Sequence, residues 1–127
     1  MQLDKAIGIH DDALLLRSRR ATVLASNLAN ADTPNYKAKD IDFSQALSRA
    51  VGSTIKVSKT NSAHISGSSE MEASIKYRNP LQPSLDGNTV ETQVEQTLFA
   101  KNATQYQASL QFLGGKFKAL SAAIRGE

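Results

Sequence analysis

The 127-residue chain contains no cysteine and no tryptophan. Without cysteine there are no disulfides, no thiolate nucleophile and no cysteine-ligated metal, and the redox compartment stays open. No apolar run approaches the roughly 18 residues that a membrane-spanning helix needs. The opening Met1-Gln2-Leu3-Asp4-Lys5 has no basic stretch followed by an apolar one. An ordinary secretory signal is therefore not expected, and any export would use another route. Large apolar side chains are scarce as well: Leu, Ile, Val and Phe number 29, against 17 alanines. That supply lies close to the level at which disorder prevails, so a self-sufficient core is poorly provided for. Charge of one sign is not concentrated either. The net charge is only +3, and it is spread along the chain instead of forming a basic nucleic-acid arm.

Catalytic chemistry also lacks its parts. His10 and His64 are the only histidines and fall in different kinds of segment, so no shared metal site is expected, and His10 reads as a packing or edge residue of a helix. Asp11 and Asp12 are adjacent, which puts them on different sides of a helix and makes them a poor acid/base pair. Asp86-Gly87-Asn88 lacks the alternating ligands and terminal glutamate of a calcium loop and reads as a turn. No phosphate-cradling glycine loop occurs. Arg17 and Arg20 share a helix face while Arg19 points elsewhere, a solvated or interface-lining cluster. The expectation is no enzyme, no metal and no cofactor.

What is present is helical periodicity at both ends. Positions 3, 7, 10, 14, 17, 21, 24, 28 and 31 step by alternating fours and threes, and Leu3, Ile7, Leu14, Ala21, Leu24, Leu28 and Ala31 among them are apolar. Ile9, Ala13, Leu16 and Val23 form a partial second stripe. The C-terminal pattern is stricter: Phe99, Ala103, Tyr106, Leu110, Leu113, Phe117, Leu120 and Ile124 keep the same steps, and Val90, Val94 and Leu98 lead into them. A helix from about 90 to 124 would be on the order of 50 Å long. Gly114-Gly115 is its weak point and argues for a bend unless a close neighbour needs the space.

Between the helices the pattern changes. Asn30 to Tyr36 carries short polar residues and Pro34, which stop the first helix, with Asn30 or Asp32 as candidates for a left-handed closing residue. Asp42 is an N-cap candidate for a short second helix ending at Gly52. Residues 52–75 are rich in serine and poor in apolar residues, a flexible or weakly β insertion. Tyr77 to Gly87 reads as extended chain closed by a turn. The expected fold is mainly α: long N- and C-terminal amphipathic helices packed as an antiparallel coiled-coil-like pair, with an irregular central segment. Its parts are 1–51, a central insertion 52–85, and 86–127, in one domain. Two such helices packed only on each other would leave flanking stripes wet, and association is the economical remedy.

The junction Ala25-Ser26-Asn27-Leu28-Ala29-Asn30-Ala31-Asp32-Thr33-Pro34-Asn35-Tyr36 resembles the signature of bacterial flagellar rod and hook proteins, carried by Asn27, Leu28, Asn30, Asp32, Thr33, Pro34 and Tyr36. Lys39 to Phe43, Gln82 to Val90, Asn102, Tyr106 and Leu113 to Lys118 are similar to the proximal-rod type, while residues 52–75 match poorly. The resemblance implies an axial structural subunit of the flagellar basal body, in the periplasmic rod, polymerising helically around the export channel. It implies as partners copies of itself, the other rod subunits, and the ring-to-rod adaptor and membrane ring at the rod base. It also implies passage through the flagellar type III export gate without a cleaved signal. Phe43 and Leu47 have the form of a gate-recognition motif, and equally of one apolar face of a short helix. The apolar positions 3 to 28 and 90 to 124 are then the expected assembly interface. Two other readings stand beside this one: a stand-alone coiled-coil adaptor, stable by itself, and a basic helical protein that binds nucleic acid in a salt-sensitive way.

Overall fold

The computed structural model describes residues 2–52 and 75–126. Most of the serine-rich insertion, with His64, lies outside the described residues, as does the side chain of Leu3. The chain order is α1 (Gln2–Ala29), β1 (Lys39–Ile41), α2 (Phe43–Gly52), β2 (Ile75–Tyr77) and α3 (Thr92–Arg125). The fold class is the expected one: two long helices packed together, joined through a short helix and a minimal sheet.

Cross-contacts fix the direction of the pair. Asn27 meets Glu95 while Arg17 meets Gln105, so rising numbers on α1 face falling numbers on α3 and the helices are antiparallel. β1 and β2 form a two-stranded antiparallel sheet with Lys39 opposite Tyr77 and Ile41 opposite Ile75. α2 begins where the sequence placed it. The Asp42 side chain accepts the Gln45 N–H at 3.2 Å and its carbonyl the Ala46 N–H at 3.0 Å, the N-cap arrangement that satisfies first-turn donors.

The rotation of the long helices about their axes differs from the sequence expectation. On α1 the buried apolar residues are Ala13, Leu16 and Leu24, so the contact line runs nearer the partial second stripe than the main one. On α3 the buried positions are Glu95 and Asn102, both polar. The apolar stripe of α3 is centred about 40° round the helix from this line, at 100° per residue. Phe99, Leu110, Phe117 and Ile124 are accordingly 39, 44, 52 and 86% exposed. The apolar core of the described residues is completed only by Ala38 and Ile41.

Two local expectations are corrected. The left-handed residue of the turn is Asn35, at φ 61°, not Asn30 or Asp32. α3 also continues through Gly114-Gly115 as one helix to Arg125, and nothing lies within 4 Å of where a Cβ would stand on either glycine. The glycines are thus accommodated without a close neighbour inside the subunit.

Candidate functional site

Two features stand out on this frame, a buried polar node at one end of the helix pair and an apolar cleft along its side. The node begins with the turn. Asn27, buried near the end of α1, donates from Nδ2 to the Lys39 carbonyl at 2.6 Å and to Glu95 Oε2 at 3.2 Å, while its Oδ1 accepts the Lys39 N–H at 3.1 Å. The Tyr36 hydroxyl donates to the same Oδ1 at 3.4 Å. One amide thereby ties α1 to the strand that follows it and to α3.

Around Asn27 two arginines and two carboxylates close a charge-balanced network. Arg20 grips Asp40 with Nε at 2.8 Å and Nη2 at 3.0 Å, a bidentate pair. Arg78 donates to Asp40 Oδ2 at 2.9 Å and, through Nη1, to Glu95 Oε1. Glu95 is fully buried, a position that a carboxylate tolerates only when paired and hydrogen-bonded. Burial pushes the Asp40 carboxyl up, but the Arg20 hydrogen bond and charge, the Ile41 N–H and Arg78 outweigh it and hold it below its ordinary value. Arg20 therefore belongs to an internal network, not to a solvated or interface-lining cluster.

A second clamp sits at the end of α1. Asn88, also buried, donates from Nδ2 toward the carbonyls of Asn30, Ala31 and Thr33 at 3.0, 2.9 and 2.8 Å, and its Oδ1 accepts the Val90 N–H at 2.7 Å. These carbonyls belong to the turn that follows α1; those of Asn30 and Thr33 also accept the N–H groups of Thr33 and Tyr36. Asn35 donates its N–H to the Asp86 carbonyl at 2.9 Å, and Gly87 (φ 77°) passes so close that a Cβ would stand 2.8 Å from Asn35 Oδ1. Of the signature residues, Asn27, Asn30, Thr33 and Tyr36 take part in these bonds, Leu28 is half-buried, and Asp32 and Pro34 are exposed. Phe43 lies under the Arg17 guanidinium, 4.2 Å from its ring centre, and both Phe43 and Leu47 are half-buried in the folded subunit.

Sequence reasoning missed Glu95, Arg78, Asp40 and Asn88 as organising residues. The available signal was polar: Glu91 at the N-cap and Glu95, Asn102 and Gln105 on α3 recur at helical spacing beside the apolar stripe.

That apolar stripe forms the second feature. Ala21 on α1 and Phe99, Ala103 and Tyr106 on α3 line a cleft of about 240 Å³ with Arg17 and Asn102 at its wall. Ile7, Leu14 and Leu28 are half-buried, as are Val90, Val94, Leu98, Leu113 and Leu120. Leu24 has no accessible surface and nothing to offer a second copy. Another open hollow, lined by Phe112, Gly115, Lys116 and Ala119 among others, lies elsewhere on α3. Among the described residues no group of acidic and histidine side chains suits a metal ion, and no helix is long and apolar enough to cross a membrane.

A family described as Flagella basal body rod protein matches residues 8–37, the stretch holding most of α1 and the turn. Over the whole chain, the Flagellar basal body rod protein FlgB of Aeromonas hydrophila is 47% identical, covering 100% of this chain and 98% of the relative. The FlgB of Cereibacter sphaeroides is 48% identical over 95% of this chain and 94% of its own. That of Escherichia coli K12 is 43% identical, with 94% and 92% covered.

Proposed function

The chain belongs to the flagellar basal-body rod proteins of the FlgB type, and from this premise we propose that it is a structural subunit of the proximal rod, polymerising helically around the export channel. One observation carries the mechanism: the main apolar stripe of α3 points away from the subunit's own seam, leaving Phe99, Leu110, Phe117 and Ile124 exposed. A row of that length is unusual on an isolated soluble molecule and marks an association surface. In this reading the polar node sets the geometry of each subunit and the apolar side joins it to the next.

The partners follow from the same reading: copies of this chain, the other rod subunits, the ring-to-rod adaptor and membrane ring at the base, and the type III export gate during secretion. The chain crosses that gate unfolded, with Phe43 and Leu47 as its recognition motif. It folds fully at the growing tip, where burial between subunits offsets the cost of ordering. The test separates export from assembly. Leu110→Asp and Leu28→Asp should be secreted at the wild-type level but should leave cells non-motile and without rods. Normal rods built from either variant would sink the proposed interface.

A further inference from the structure

Two of the most exposed apolar side chains lie on a loop outside both long helices. Leu81 is 84% exposed and Leu85 110%, on either side of Pro83 in the segment joining β2 to α3. The loop is held firmly: the Leu81 N–H donates to Glu91 Oε1 at 2.9 Å, the Ser84 hydroxyl to Asp86 Oδ1 at 2.6 Å, and the Gly87 N–H to the Ser84 carbonyl at 3.2 Å. A leucine presented to solvent on a pinned loop has lost its conformational freedom before any partner arrives, which favours docking.

The cleft between α1 and α3 has the complementary character. Its volume of about 240 Å³ exceeds the roughly 150 Å³ that holds a benzene ring, so it has room for a leucine side chain. At its wall Arg17 donates one N–H to Gln105 at 2.7 Å, leaves Nε buried without a partner, and has no carboxylate partner among the described residues. Asn102 Oδ1 is also buried and unpartnered, an acceptor that a donor N–H would satisfy, while the anion is called for by Arg17 alone. An occupant should bring an apolar side chain with an anion beside it. Within the loop 79–86 the one charged residue is Asp86, next to Leu85.

We infer that the loop 79–86 of one subunit docks into the α1–α3 cleft of another copy, with Leu85 against Phe99 and Ala103 and Asp86 against Arg17. This rests on the rod-subunit reading and gives it a direction. Loop and cleft are different surfaces of the same chain, so the contact is heterologous and propagates as a ring or an open helix instead of closing as a two-fold dimer.

The chain has no cysteine of its own, which makes cross-linking unambiguous. Leu85→Cys and Ala103→Cys should be introduced together and separately, and basal bodies isolated under mild oxidation. The double variant should give a ladder of disulfide-linked copies. Each single variant should give none, and the two singles co-expressed should give dimers only. A double variant that builds working rods without any cross-link overturns the docking and leaves the rod reading standing. If the double variant builds no rods, the reciprocal charge swap decides: Arg17→Asp and Asp86→Arg should each reduce swimming at least tenfold, and together should restore it. Failure of the pair to restore swimming overturns the inference. A strain lacking this chain that still builds rods would instead overturn the rod reading itself.

Discussion

At the scale of single residues, side-chain amides and carboxylates decide the geometry, and Asn88 shows how. Its Nδ2 serves three carbonyls at the end of α1 while its Oδ1 holds Val90 ahead of α3. Asn88→Ala should therefore destabilise the folded, associated protein by about 2 kcal/mol, since buried groups would lose their partners. Asn88→Asp should cost more, because it sets an anion against carbonyl oxygens; the urea midpoint at high protein concentration would show both. Asp42 supplies a pH test. The Lys76 hydrogen bond, then the Gln45 N–H and the Ser44 hydroxyl, hold its carboxyl down to about 2 from an ordinary 3.8. A folded value below the unfolded one gives stabilisation that is complete above about pH 4 and is lost as pH falls toward 2. Helicity should fall across that window, and Asp42→Asn should remove the α2 part while leaving the part due to Asp40. The Asp42 cap was legible because an N-cap and its partner lie three residues apart. Asn88 was not, because its partners in the turn after α1 are 55 to 58 residues away, and no local pattern carries that information.

At the scale of elements, both long helices were legible from period alone, while their facing was not. The strict stripe from Phe99 to Ile124 argued for a seam with α1, yet that seam is taken by Glu95 and Asn102. Polar contacts made this possible: Arg78 and Asn27 meet Glu95, and the Arg17 carbonyl accepts from Asn102 at 2.9 Å. Periodicity reports that a helix has an apolar side and is silent on which neighbour takes it, so a chain that saves this side for another subunit looks like one that buries it at home. The glycine pair follows the same logic. Because nothing lies within 4 Å of a Cβ at Gly114 or Gly115, Gly114→Ala and Gly115→Ala should each strengthen α3 by about 1 kcal/mol of helix propensity. Circular dichroism on the isolated chain should show a gain in helicity for each. A loss for either would mean that the backbone there must stay bare even within the subunit.

At the scale of the whole molecule, the question is how much structure one copy keeps alone. Its described apolar core is Ala13, Leu16, Leu24, Ala38 and Ile41, so two of the five buried residues are alanines with little surface to remove from water. The node around Glu95 adds specificity more than stability, since paired buried charges do little more than offset their own desolvation. Ordering α1 and α3 costs conformational entropy at every residue, and much of the apolar surface that would compensate stays exposed until a second copy covers it. Helicity should therefore depend on concentration. In sedimentation velocity paired with far-UV circular dichroism, a dilute sample should be an expanded monomer of low helicity, and helix should appear together with faster-sedimenting species as concentration rises. Leu110→Asp should suppress both changes at once, because in this account folding and association are one process. A compact monomer that is fully helical at every concentration would separate the two, remove the coupled mechanism, and favour a stand-alone helical adaptor.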